Sequence, residues 1–290
     1  MNEIKIFCSK DWVDYELLDT GEGEKLERFG PYTFVRPYED AVWKRTLSAD
    51  EWSKADGKFW SSKAGAKAGW KISRTVLDMW EMEYKGIKFF ATPTPFRHLG
   101  FFPEQAVHWD FIEKKITGKK IRFLNLFGYT AVASLFALRA GAEVTHLDAS
   151  KQSLNSAKEN EKLSRLSGMR VIEDDAIKFL EREARRGNKY DAIIMDPPKH
   201  GRGPKGEVWK IEEMLPKLLS AVRKVLSDRP LFIILTSYGT DSSSLPLGYT
   251  LENMMKDFSG RIDSGELCVL EKSNNRIIPL ANTAIWSIMN

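Results

Sequence analysis

From Ile121 onward, apolar runs short enough to be buried strands alternate with stretches whose apolar residues recur at helical spacing. The pattern predicts strands over 121–126, 144–147, 171–172, 192–195 and 231–235, and helices over 130–140, 153–163, 176–186 and 209–226. Strand, helix, strand is the repeating unit of a parallel sheet, so an α/β fold is expected. Two further runs, Leu267 to Leu270 and Thr283 to Ile288, read as closing strands that end the sheet in a hairpin edge. Thr240 to Gly248, serine-rich and carrying Pro246, reads as a loop. Before Ile121 the pattern changes to aromatic, alternating segments such as Tyr32-Thr33-Phe34-Val35 and Trp80 to Phe90, punctuated by Gly21, Gly23, Gly30, Gly57 and Gly86. A β-rich accessory region over 1–114 ahead of an α/β domain over 115–290 is therefore expected, and 290 residues are enough for both.

The formal net charge of +4 is mildly basic and by itself announces no nucleic-acid partner. The two cysteines, Cys8 and Cys268, lie far apart and match no metal or redox spacing, so no metal is expected and a reduced cytoplasmic protein is the simplest expectation. Cys268, in the apolar run Glu266-Leu267-Cys268-Val269, reads as a small core residue. The first residues lack the apolar core of a signal peptide, and no segment approaches the roughly 20 apolar residues that span a bilayer. No membrane association is expected.

Candidate chemistry gathers at the predicted strand ends. Asp196-Pro197-Pro198-Lys199 follows the apolar run Ile193-Ile194-Met195, which places it where a buried strand meets a loop. Two prolines stiffen that loop and remove donors, leaving carbonyls and the Asp196 carboxylate to grip an amine or a base edge. An ordinary Asp-Pro turn is the plainer alternative. Gly128 joins the first strand of the α/β region to its helix, where a side chain would block close ligand approach, although one glycine is no dinucleotide fingerprint. Asp148 ends the next strand about twenty residues on, the spacing at which a carboxylate accepts the hydroxyls of an adenosine ribose. In Glu173-Asp174-Asp175-Ala176, Asp175 can meet an adenine amino group while the Ala176 N–H meets a ring nitrogen, or Asp175 can cap the following helix.

Gly128, Asp148, Asp175 and Asp196-Pro197-Pro198-Lys199, on successive strands, resemble the class I S-adenosylmethionine-dependent methyltransferases. The nearest branch is the ribosomal RNA large-subunit methyltransferase-like group, to which Asn125-Leu126-Phe127-Gly128-Tyr129-Thr130, His146-Leu147-Asp148-Ala149-Ser150 and Tyr190 to Lys199 are similar. The resemblance implies a Rossmann-like, doubly wound, mostly parallel seven-stranded sheet with S-adenosylmethionine as cofactor. It implies cofactor contacts from Asn125, Phe127, Gly128, Thr130, Asp148, Asp175 and Ala176, with Phe102 and Gln105 of Gly100-Phe101-Phe102-Pro103-Glu104-Gln105 helping to close the pocket. It also implies a catalytic role for Asp196, Pro197, Pro198 and Lys199. This chain departs from the family in having Asn125 where an acid is common, and His200 where an aromatic usually follows the tetrad.

For the acceptor, Asp196 and the Pro197 carbonyl can take the two hydrogens of an exocyclic amine and aim its lone pair. Methylation of cytosine at C5 needs a nucleophile, usually cysteine, and neither Asp196-Pro197-Pro198-Lys199-His200 nor Leu235-Thr236-Ser237-Tyr238-Gly239 contains one. A base nitrogen of ribosomal RNA is the expected target, and a small molecule or protein side chain is the alternative, as is a scaffold that binds cofactor without turnover. Lys54, Lys58, Lys63, Lys67, Lys71 and Arg74 interleave with Phe59, Trp60 and Trp70, and Lys199, His200, Arg202 and Lys205 follow the tetrad. Such stretches grip phosphates and stack bases, or are a solvated face over an aromatic core.

Overall fold

A computed structural model describes residues 3–60, 68–202, 208–239 and 243–289. The chain divides into two compact units, one of Met1–Phe7, Val107–Leu267 and Leu280–Asn290, the other of Cys8–Ala106 and Cys268–Pro279. The N-terminal elements are β1 (Ile4–Cys8), β2 (Tyr15–Gly21), β3 (Glu24–Phe29), β4 (Tyr32–Pro37), α1 (Ala49–Ser53), β5 (Gly57–Trp60), β6 (Gly69–Ile72), β7 (Trp80–Tyr84) and β8 (Ile87–Ala91). The α/β region follows with α2 (Ala106–Ile116), β9 (Arg122–Leu126), α3 (Val132–Arg139), β10 (Glu143–Asp148), α4 (Lys151–Leu163), β11 (Arg170–Glu173), α5 (Ala176–Arg185) and β12 (Ala192–Met195). It closes with β13 (His200–Arg202), β14 (Val208–Lys210), α6 (Ile211–Val225), β15 (Phe232–Ser237), α7 (Leu245–Met255), β16 (Arg261–Leu270) and β17 (Ile277–Ser287).

The large sheet has the order β1-β16-β17-β15-β12-β9-β10-β11. Its centre is parallel, with β9 pairing β10 and β12, β10 pairing β11, and β12 pairing β15, whereas β17 runs antiparallel to β15. The Rossmann-like α/β fold is as expected, but among the described residues the sheet has eight strands where the expectation is seven. The additional strand is the edge strand β1, whose Ile4 and Ile6 are exposed, so no buried apolar run betrays it. Every residue of β12 and of β15 is buried, because helices cover both faces and leave no position for a polar alternation. Leu126, Leu147, Met195 and Leu235 face Phe179, Leu218, Val222 and Leu251 of α5, α6 and α7. Phe123, Val144, Ile194 and Ile234 belong to the other core, with Ile112 and Ile116 of α2 and Ala157 of α4.

Two predicted boundaries shift. Trp209 belongs to β14, and the helix starts at Ile211. The expected loop over 240–248 is cut short by α7, which starts at Leu245. Pro246 was read as a breaker, yet at the first turn of a helix its missing N–H has no intrahelical partner to lose. Residues 240–242 lie outside the described residues. Among the described residues no helix is long and apolar enough to cross a membrane.

The N-terminal unit contains a five-stranded sheet, β2-β3-β4-β5-β6, antiparallel except for β4–β5, and the hairpin β7–β8. Its aromatic residues form the core, which corrects part of the expected base-stacking surface. Phe59 is buried and meets Trp70 edge to face at 5.2 Å, while the Trp70 indole donates to the Thr94 and Phe96 carbonyls. Neither ring is free to stack a base; Trp60 is exposed. Lys58 pairs with Glu24 at 2.6 Å, and Lys63, Lys67 and Lys205 lie outside the described residues.

Within this unit Glu27, fully buried, accepts two bonds from Arg36, one from the Tyr15 hydroxyl, and the Lys25 ammonium at 3.2 Å. Burial alone would push the Glu27 carboxyl up, but Arg36 and Lys25 outweigh it and hold it at about 2. Its contribution is therefore present above the unfolded value of about 4.5 and is lost as pH falls towards about 2. Replacing Glu27 with Gln leaves two buried cations without their counterion and is expected to destabilise the unit by about 3–5 kcal/mol. Urea unfolding at pH 7 checks this; an unchanged midpoint would refute the role given to the ion cluster.

Candidate active site

β9 lies between β10 and β12, and the chain winds outward from it in both directions, so the sheet reverses its direction of growth between β9 and β12. Ligand crevices in such sheets open at the carboxyl ends of the strands at this reversal. The register brings the relevant ends together: Leu126 pairs with Leu147 and with Met195, Asp148 with Glu173, and Met195 with Leu235. Asn125, Phe127, Gly128, Thr130, Asp148, Asp175, Ala176 and the tetrad Asp196, Pro197, Pro198 and Lys199 all lie at or just beyond this edge of one unit. Phe102 and Gln105 belong to the N-terminal unit, where Pro103–Gln105 forms a short 3-10 turn and the Gln105 N–H donates to the Phe102 carbonyl at 3.1 Å.

The loop leaving β9 has an unusual backbone. Phe127, Tyr129 and Ala131 adopt φ of +58°, +51° and +74°, a region that L side chains enter at a cost. A directed relay of hydrogen bonds holds it there. The Tyr129 carbonyl can only accept, so His146 Nε2 donates to it at 3.2 Å, which leaves Nδ1 as an acceptor. Ser134 must then donate to Nδ1 at 3.0 Å, and its oxygen in turn accepts from Asn125 Nδ2 at 3.0 Å. Asn160 donates to the Thr130 carbonyl at 2.8 Å, and the Gly128 N–H to Leu147 at 2.9 Å. Gly128 is needed because a Cβ there would stand 2.2 Å from His146 Cε1. This is the point at which the imidazole and the loop backbone touch.

Asp148 closes the arrangement. One carboxylate oxygen accepts the Tyr129 N–H at 2.9 Å and the other the Ser150 N–H at 2.8 Å. Burial raises its carboxyl above the ordinary aspartate value, although the backbone donors Ser150, Tyr129 and Ala149 counter part of that rise. At the end of β11, Asp175 caps α5 by accepting the Lys178 N–H at 3.0 Å, and its own N–H donates to Asp174.

On the other side of β9, Asp196 is half-buried, Pro197 buried and Pro198 exposed. The Trp209 indole donates to the Pro198 carbonyl at 2.6 Å, and the Ile211 N–H donates to the Lys199 carbonyl at 3.1 Å. Trp209 also meets Phe127 edge to face at 5.1 Å, so one side chain connects the loop after β9 with the loop after β12. Sequence reasoning assigned no role to Ser134, His146, Asn160 or Trp209. The available signal was polarity out of place: His146 is a buried ionisable residue in a central strand, and Ser134 and Asn160 are buried on helices.

Burial holds the His146 imidazole down at about 4, despite the bond to Tyr129, and that of His108 on α2 at about 3. Both rings are neutral when folded at pH 7. A lowered histidine contributes stability that is present above the unfolded value near 6.5 and is lost as pH falls through the folded value. On the order of 3 kcal/mol from His146 is expected to disappear between about pH 6.5 and 4. Unfolding free energies at stepped pH check this: His146→Asn should flatten the acid limb, and a limb as steep as the wild type's would refute it.

A family model described as S-adenosylmethionine-dependent methyltransferase matches residues 36–227. The chain is 38% identical to a SAM-dependent methyltransferase from Agrobacterium tumefaciens of known crystal structure, with a TM-score of 0.93 over 98% of this chain and 94% of that one. It is 28% identical over 252 residues to ribosomal RNA large subunit methyltransferase K/L of Shewanella frigidimarina, covering 78% of this chain and 35% of the relative. To ribosomal RNA large subunit methyltransferase I of Aeromonas salmonicida it is 32% identical over 121 residues, which cover 41% of this chain and 30% of the relative. The chain thus spans about a third of the length of the curated relatives it matches. With the sheet order and these matches in agreement, the chain belongs to the S-adenosylmethionine-dependent methyltransferases, and S-adenosylmethionine is its cofactor.

Proposed function

We propose that this enzyme methylates a base nitrogen of ribosomal RNA. The observation that carries the reading is the Asp196-Pro197-Pro198-Lys199 loop, stiffened by two prolines and tied by Trp209, at the point where the sheet reverses. The names of the curated relatives support ribosomal RNA as the acceptor.

The residues present fit the cofactor. Asp148 accepts a few backbone N–H groups and, as a carboxylate with about four lone-pair sites, keeps room for ribose hydroxyls. Asp175 uses one oxygen as a cap and can offer the other to an adenine amino group, beside the Ala176 N–H of the first helical turn, which has no intrahelical acceptor. Asn125, Phe127, Gly128 and Thr130 form the loop against which the rest of the cofactor would lie. When bound, S-adenosylmethionine supplies an electrophilic methyl group on a positively charged sulfur.

The chain's own task is alignment. Asp196 and the Pro197 carbonyl accept the two hydrogens of the target amine, so its lone pair is held towards the methyl group and away from bulk water. The nitrogen gains a carbon and loses a proton, which Asp196 receives. Pro198 and Lys199 fix the course of the loop. Neither the loop after β12 nor that after β15 supplies a cysteine within the described residues, which favours nitrogen over cytosine C5.

The test is transfer of tritiated methyl to an extract lacking the enzyme, followed by separate ribonuclease and protease treatment. Ribonuclease-sensitive label is expected; label in protein or small molecules would move the acceptor to those classes. By calorimetry, Asp148→Ala is expected to weaken cofactor binding by about tenfold to a hundredfold. Asp196→Ala should leave that affinity unchanged and lower turnover at least about a hundredfold. Wild-type behaviour of both variants would refute the site assignment.

A further inference from the structure

Buried hydroxyls almost always have a hydrogen-bond partner. Among the described residues five buried side-chain polar atoms have none: Arg45 Nε and the hydroxyl oxygens of Ser227, Thr236, Ser237 and Ser244. Three of these five, Thr236, Ser237 and Ser244, fall at the carboxyl end of β15 or in the connection that follows it. That is the edge of the sheet at which the tetrad stands.

Thr236 is fully buried, and its place in the sheet is defined by pairing on both sides. Met195 of β12 lies opposite Leu235 of β15, so the next residues along these parallel strands are Asp196 and Thr236, on backbones about 4.8 Å apart. On the other side Thr236 is paired with Thr283 of β17. The Thr283 hydroxyl donates to the Leu235 carbonyl at 3.2 Å, and its oxygen accepts from His108 Nε2 at 3.1 Å. Directly paired residues share a face. One threonine of the pair is thus satisfied as donor and as acceptor while the other is satisfied as neither. Ser237, the next residue, falls on the opposite face by strand alternation, with Leu235 and the α7 core.

We infer that Thr236 reads the acceptor, its hydroxyl donating to the ring nitrogen or carbonyl next to the amine held by Asp196; this rests on the assignment of Asp196 to the acceptor. The side of the sheet decides between the two ligands. Asp148 and Asp175, assigned to the cofactor, end β10 and β11 beyond β9, whereas β15 lies on the far side of β12 from them. A base edge presents an acceptor beside its exocyclic amine, and a hydroxyl whose proton is uncommitted is matched to it. The arrangement specifies an amine flanked by an acceptor and disfavours a bare aliphatic amine.

The test compares Thr236→Val, which keeps the shape and removes the hydroxyl, with Thr236→Ser, which keeps the hydroxyl. Cofactor affinity is read by calorimetry, melting temperature by scanning calorimetry, and kcat and KM on whichever acceptor fraction takes up tritiated methyl. For Thr236→Val an unchanged or higher melting temperature and unchanged cofactor affinity are expected, with kcat/KM for the acceptor down about tenfold. Thr236→Ser should restore most of that loss. A lower melting temperature for Thr236→Val would show that the hydroxyl is already satisfied, and weaker cofactor binding would assign it to the cofactor; either overturns the inference. So would wild-type kcat/KM. Label in a protein amide would refute the RNA reading, while the Thr236→Val comparison on that acceptor still decides whether Thr236 reads it; label in a bare aliphatic amine would overturn this inference as well as the RNA reading. A wild-type enzyme that binds cofactor and labels nothing would overturn both the role of Asp196 and this one.

Discussion

The relay from Asn125 through Ser134 and His146 to the Tyr129 carbonyl is the constraint on which the backbone of the loop after β9, and with it the proposed cofactor side of the site, depends. A loop with three non-glycine residues at positive φ relaxes unless something external fixes it. Here the fixing group is a buried side chain of the neighbouring strand β10. The same contact explains Gly128, whose missing side chain makes room for the imidazole. Placing the strain over a buried, directed set of bonds lets the site be preformed before a ligand arrives, and preformed sites align reactants without paying for reorganisation at the moment of reaction.

The proposed acceptor side is organised differently. It relies on covalent stiffness, two consecutive prolines, and on one indole. Trp209 donates to the Pro198 carbonyl while its ring packs against Phe127. A shift of the tetrad is therefore felt by the loop after β9 through a packed contact. The sheet register sets how far apart the halves are, since Leu126 and Met195 are paired neighbours. Two loops hung from adjacent strands and bridged by one aromatic cannot drift independently, and in-line transfer demands that they do not.

Much of this was legible in the sequence because buried parallel strands are continuous apolar runs and their ends are abrupt. Ala192 to Met195 followed by Asp196-Pro197-Pro198-Lys199 announces both a strand and what stands on it. Asp148 was legible for the same reason. What was illegible depends on contacts between distant segments: the His146 relay needs Asn125, Ser134 and Tyr129 brought together by pairing of β9 with β10. The edge strand β1 carries no buried run, and Pro246 has opposite meanings at a helix start and inside a helix. Phe59 and Trp70 looked like stacking aromatics because composition cannot tell a core ring from a surface one. Only their edge-to-face packing decides the matter.

The two units also bury polarity by different rules, and the difference bears on the chemistry. Around Glu27 full charges are buried together, with Arg36 and Lys25 on one carboxylate. Removing one member of such a cluster leaves a buried charge unpaired. Beneath the cofactor loop the buried groups are neutral, an amide, a hydroxyl and an imidazole whose burial holds it uncharged at pH 7. The cofactor's sulfur is a cation, and a neutral imidazole in this loop's support adds no like charge to oppose it. In the proposed site, neutral support from His146 and the carboxylates assigned to the two ligands, Asp148, Asp175 and Asp196, would favour the sulfonium. Methyl transfer from a sulfonium would leave a neutral thioether, so in the proposed site the carboxylates would favour the bound reactant and the chain's contribution to rate would lie in aligning the acceptor nitrogen.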